Sequence, residues 1–140
     1  KYELNQYIEE LEMTLGEALL VPTKIYVKLV MNLIEKYDLK AIAHITGGGV
    51  IENIPRVIPK GRGIDINKNS WEKPPIFKMI EKFNSIDEIE LHKSFNMGIG
   101  LVIVVDSDKS GDITKFINEG EEKAFIIGEV VDSHEGVSLC

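Results

Sequence analysis

The feature that most constrains this chain is a run of three consecutive glycines, Gly47-Gly48-Gly49, fed by Ala43-His44-Ile45-Thr46 and followed by Val50-Ile51-Glu52-Asn53-Ile54-Pro55-Arg56. An apolar, strand-like segment enters the glycines, and a short helical turn leaves them before Pro55. A backbone without side chains lets N–H groups approach a ligand closely and permits positive φ. Where such a loop opens a helix, its unpaired N–H groups and the positive end of the dipole suit an anion. A sharp strand-to-helix turn that binds nothing uses the same glycines, so this stretch alone leaves both readings open.

Charge bears on that choice. The 140 residues carry a formal charge of −7, which argues against a general nucleic-acid binder. Between Arg56 and Lys82, however, seven basic side chains face three acidic ones. That segment is +4 and leaves −11 for the remainder, so the glycines are flanked by a local positive field suited to a phosphorylated small molecule. Most of these lysines read as solvated surface; Arg56 stands out because it closes the glycine stretch. The single cysteine, Cys140, excludes an internal disulfide and a thiolate metal site, which makes a reducing cytoplasm the expectation. No apolar run has membrane-spanning length, and no signal peptide opens the chain. Its first residue is Lys1 rather than Met, which suggests a piece of something longer.

Along the chain, Leu4, Tyr7, Ile8, Leu11 and Leu15 have helical spacing and predict an amphipathic lead-in over residues 1–22, ended by Pro22. Lys24-Ile25-Tyr26-Val27 predicts a strand. Leu29, Val30, Leu33, Ile34 and Tyr37 predict one packed face of a helix from Lys28 to Tyr37. Ala41 to Ile45 predicts a buried strand, and Ile54, preceding a proline, is steered away from helical angles. Gly61 to Ile66 predicts a half-buried strand. Pro74-Pro75 opens a helix with Ile76, Phe77, Ile80 and Phe83 inward, and a second helix covers Ile86 to Lys93. Leu101 to Val105 is apolar enough for a central strand covered on both faces. Ile113, Phe116 and Ile117 face inward from a helix capped near Gly120. Ala124 to Val131 is the last strand, and residues 133–140 are expected to fray. The main domain therefore spans 23–132, and the fold class is α/β or α+β, with helices on a mixed sheet.

Several motifs are absent. No GxxxxGK[ST] exists, so the glycine loop is not a Walker A loop. Gly98-Ile99-Gly100 lacks the third glycine of a dinucleotide fingerprint and enters a strand, so it reads as close backbone packing. His92 and His134 read as solvent histidines, and no histidine spacing suggests a metal site. His44 stands at the strand end that feeds the glycines. It is a candidate for phosphate binding or proton transfer near neutral pH, with a hydrogen-bonded sheet-edge histidine as the alternative.

The stretch Ala43-His44-Ile45-Thr46-Gly47-Gly48-Gly49, continued through Glu52-Asn53-Ile54-Pro55-Arg56-Val57, resembles the signature of the aminoimidazole ribonucleotide synthetases (phosphoribosylformylglycinamidine cyclo-ligases). Three further blocks resemble that family in the same order: Thr14 to Leu20 with Pro22 to Lys28; Ser70-Trp71 with Pro74 to Phe77; and Phe95 to Gly100. The resemblance covers only the C-terminal half of such an enzyme. It implies a three-layer α/β/α fold with partly ferredoxin-like topology, and a homodimer whose main contacts lie in the N-terminal half. That half would also hold ATP and Mg, and no metal site is implied for the present chain.

The implied reaction is the ATP-dependent closure of formylglycinamidine ribonucleotide to aminoimidazole ribonucleotide in purine biosynthesis. ATP would phosphorylate the formyl amide oxygen, and the amidine nitrogen would then attack that carbon and expel phosphate. The resemblance implies a phosphate (or sulfate) on Gly47, Gly48 and Gly49, donors from Arg56, hydrogen bonds from Thr46 and Asn53, and substrate orientation or proton transfer by His44. It also implies that residues 1–140 alone are inactive. Rival readings are a formylglycinamide ribonucleotide amidotransferase or thiamine monophosphate kinase of the same superfamily, or a non-catalytic ferredoxin-like ligand-binding module.

Overall fold

A computed structural model describes residues 2–82 and 86–140. Phe83, expected to complete an inward helix face, lies outside the described residues. The architecture is α+β. Its strands are β1 (Tyr7–Ile8), β2 (Met13–Thr14), β3 (Ala41–His44), β4 (Gly63–Ile66), β5 (Leu101–Val104), β6 (Gly128–Val131) and β7 (Gly136–Leu139). Its helices are α1 (Leu15–Leu19), α2 (Val27–Lys36), α3 (Gly49–Asn53), α4 (Pro75–Glu81), α5 (Glu88–Ser94) and α6 (Ser107–Asn118).

β3 and β5 form an antiparallel pair with Ala43 opposite Val102 and His44 opposite Leu101. One face of this pair carries Ala43 and Val102 into the main core with Ile45, Ile64, Ile66 and Trp71. The other carries Ile103 against Leu33 of α2 and Ile113 and Ile117 of α6. Period-two alternation thus places helices on one side of the ribbon and the second sheet on the other. That second sheet is mixed: β4 lies between antiparallel β6 and parallel β7.

Several expectations are corrected. The N-terminal lead-in is not one helix. Its chain folds back as a β1–β2 hairpin through Glu12, which adopts φ 55°, so that Ile8 and Leu11 pack on Met79 of α4. Thr14 then caps α1 reciprocally with Glu17. The segment 24–27 is not a strand: it finds no sheet partner, Ile25 is 83% exposed, and Val27 already belongs to α2. Ile34 turns outward from α2, while Leu29, Leu33 and Tyr37 face the core. β5 has helices on one face and the second sheet on the other, as expected, but it is not a central strand: among the described residues its one strand partner is β3, and its residues are half-buried. The last strand begins at Gly128 rather than Ala124, whose backbone N–H and C=O are both held by the Asn118 side chain.

The C-terminal residues do not fray. β7 aligns Val137 with Ile64 and Leu139 with Ile66, burying its apolar residues on the core, and the Cys140 N–H donates to the Ile66 carbonyl at 2.8 Å. His134, expected in solvent, bonds Asp65 of β4 at 2.8 Å. His92, also expected in solvent, is fully buried on α5.

Candidate functional site

The glycine loop is shaped from within. Gly48 and Gly49 adopt φ 98° and 54°, left-handed angles that favour glycine. The Gly49 N–H donates to the Thr46 carbonyl at 3.0 Å, closing the turn that starts α3. Gly49 is buried, and a Cβ there would fall on the carbonyl oxygen of His92, so α5 backs the loop. Gly47 is exposed, with open space where a Cβ would lie. Among the described residues, the N–H groups of Gly47 and Gly48 have no hydrogen-bond partner.

Asn53, buried at the end of α3, holds the loop's carbonyls. Its amide donates to Gly49 at 2.8 Å and to Gly47 at 3.1 Å, and reaches Thr46 at 3.4 Å. Its own carbonyl accepts from Arg56 Nη1 at 3.3 Å. Ile54 keeps helical angles in spite of Pro55, correcting the expectation from sequence. The helix therefore continues into a 3-10 turn, Ile54–Val57, which carries Arg56 beside Asn53.

Glu52 was not singled out from sequence. Its carboxylate lies 2.8 Å from the position a Gly48 Cβ would take, and 3.5 Å from Arg56 Nη2. The spacing of four residues between Glu52 and Arg56 was the available signal. Both side chains are more than half exposed, so the pair is a weak one. For His92 no signal existed, because the acidic first turn of α5 reads as a surface helix.

The structure thus brings Thr46, Gly47, Gly48, Gly49, Asn53 and Arg56 together. Gly49 and Asn53 build the loop, while Gly47, Gly48 and Arg56 present donors. His44 is exposed at the end of β3, on the strand face of Ile42, and its ring stands edge-on to Tyr26 at 6.0 Å. The remaining sequence blocks pack on one another. Trp71 donates to the Met97 carbonyl at 2.9 Å, Gly98 at φ 101° lies against Pro74, and Gly100 lies against the Tyr26 hydroxyl. Close packing is therefore the role of Gly98 and Gly100. A cavity of about 1,420 Å³ opens between β5 and residues 121–127, and its lining does not include the glycine loop. Among the described residues no three His, Cys, Asp or Glu side chains gather as a metal site, and no helix is long and apolar enough to cross a membrane.

Residues 3–140 match the family described as AIR synthase related protein, C-terminal domain. The chain belongs to this family. Among AIR synthase relatives, the phosphoribosylformylglycinamidine cyclo-ligase of Acetivibrio thermocellus is 45% identical over 138 residues, which are 99% of this chain and 41% of that protein. The cyclo-ligase of Bacillus cytotoxicus is 48% identical over 128 residues, 91% of this chain and 37% of that protein. The chain thus spans about two fifths of the length of these curated relatives. The fold also matches Escherichia coli HypE, a hydrogenase maturation protein, with TM-score 0.64 and 24% identity over 83% of this chain and 36% of HypE.

Proposed function

We propose that this AIR synthase C-terminal domain is the C-terminal part of a phosphoribosylformylglycinamidine cyclo-ligase, which closes formylglycinamidine ribonucleotide to aminoimidazole ribonucleotide with ATP in purine biosynthesis. The observation that carries this reading is identity of 45% along essentially the whole domain to proteins named as that enzyme. In this reading the loop binds a phosphate of the substrate or of the phosphorylated intermediate. Gly47 and Gly48 supply N–H donors, and Arg56 exchanges Glu52 for the phosphate, with its guanidinium fork as the charged donor. Gly49 and Asn53 keep the loop in its donor-presenting shape, and Thr46 joins through its hydroxyl. His44 orients the ribonucleotide or moves a proton.

ATP supplies the phosphoryl group that turns the formyl oxygen into a leaving group. In this reading the Mg ion and most of the ATP contacts are assigned to an N-terminal domain of the same polypeptide. The active enzyme in this reading is a cytoplasmic homodimer, without nucleic-acid or membrane partners, and residues 1–140 alone do not turn over. Phosphate titration of this chain, followed by amide chemical shifts, tests the loop: changes centred on Gly47 and Gly48 and lost in Arg56→Ala are expected, and unperturbed loop amides at saturating phosphate would contradict it. In the whole enzyme, His44→Ala is expected to lower kcat with an unchanged melting temperature. A wild-type rate would return His44 to a structural part of the sheet edge.

A further inference from the structure

Resting on that reading, we infer that the outer face of α2, together with the extended segment before it, is the docking surface for the domain that precedes this one in the same polypeptide. Val27, Met31 and Ile34 lie at i, i+4 and i+7, so they form one stripe along α2. They are 67%, 52% and 51% exposed. The opposite stripe, Leu29, Leu33 and Tyr37, is occupied by the core. The approach to the helix adds Leu20, Val21 and Ile25, each at least 66% exposed. Single exposed apolar residues are ordinary, but six within fifteen positions, three of them on one helix face, form a patch of the kind that marks an interaction surface. The stripe suggested by sequence, by contrast, is partly consumed within the domain, because Ile8 and Leu11 pack on Met79.

Two observations select the occupant. The family is by description a C-terminal domain, and the matched 138 residues are 41% of the Acetivibrio relative, so more than half of that relative lies outside the match. The N-terminal residues are also tied to the helix that leads into the patch. Leu4 and Gln6 accept hydrogen bonds from Gly16 and Leu15 at 2.7 and 3.0 Å, which holds the N-terminal residues against the start of α1. α1 ends at Leu19, directly before Leu20 and Val21. A domain attached ahead of these residues is held at high effective concentration near this chain, so modest apolar contacts suffice to keep it docked. The matching surface on that domain is accordingly apolar and poor in charge.

Thiol labelling tests the assignment. Met31→Cys and, separately, Ile34→Cys are made in a Cys140→Ser background, both in residues 1–140 and in the whole encoded polypeptide. Each rate is divided by that of the same protein unfolded in urea. Labelling is expected to slow by about tenfold or more in the whole polypeptide relative to residues 1–140, because the thiol is reached only by local opening. Equal rates would overturn the proposal. Protection already present in residues 1–140 and growing with concentration would overturn it in favour of a second copy of this chain. Cyclo-ligase turnover of the same polypeptide is measured alongside: turnover without protection sinks the docking surface alone, and protection without turnover sinks the proposed activity alone.

Discussion

Gly47 and Gly49 are two residues apart and have opposite roles. Gly49 is buried at φ 54° against the His92 carbonyl, so Gly49→Ala meets both a backbone clash and the left-handed penalty. A loss of at least about 1 kcal/mol in stability is expected from denaturant unfolding. Gly47 has open space around it, so Gly47→Ala is expected to unfold like the wild type while weakening phosphate binding at the loop face. A Gly47→Ala variant that unfolds as early as Gly49→Ala would contradict this division. Asn53→Ala strips donors from the carbonyls of Gly47 and Gly49 and is expected to cost about 1–3 kcal/mol. Asn53→Asp should cost as much, since a carboxylate cannot donate to them. Three glycines announce such a loop in sequence, but which of them builds it and which faces a ligand depends on α5, more than forty residues away in the chain.

At the scale of elements, α2, β3, β4, α6 and the glycine loop were legible because each carries its own periodicity or turn chemistry. The N-terminal hairpin was not. The spacing of Leu4, Ile8, Leu11 and Leu15 fits a helix, and the packing of Ile8 and Leu11 on Met79 overrides that local preference. The strand-like composition of residues 24–27 failed for the converse reason, since a strand requires a neighbour and none adjoins it. β7 was hidden by its polar surroundings. Its strand pairs in parallel with β4, a contact made across some seventy residues. The same long-range pairing joins His134 to Asp65 and, through Arg62 and Asp132, ties the turn before β7 to β4.

That turn carries a pH dependence. The Asp65 carboxylate, and then the Glu135 carbonyl, hold the His134 ring above its ordinary pKa. Because the folded value is raised, the added stability is fully present below the unfolded value near 6.5 and is lost as pH rises through the folded value. The difference in melting temperature between wild type and His134→Gln should therefore be larger at about pH 6 than at about pH 9. A difference independent of pH would show that the pair acts through packing alone.

For the molecule as a whole, the proposed cyclo-ligase reading joins the glycine loop to a reaction that the geometry alone does not name. In that reading the phosphate is held by the two unpaired amides of Gly47 and Gly48 and by Arg56. Phosphoryl transfer needs a nucleotide and its metal held in place, and the proposed reading assigns both to a preceding domain, the same one proposed to dock on the α2 face. The most direct test is ATP-dependent formation of aminoimidazole ribonucleotide from formylglycinamidine ribonucleotide, measured with the whole encoded polypeptide and with residues 1–140. Turnover by the whole polypeptide, sharply reduced by Arg56→Ala, and none by residues 1–140 is the predicted result; no turnover by the whole polypeptide, or turnover by residues 1–140 alone, would contradict it.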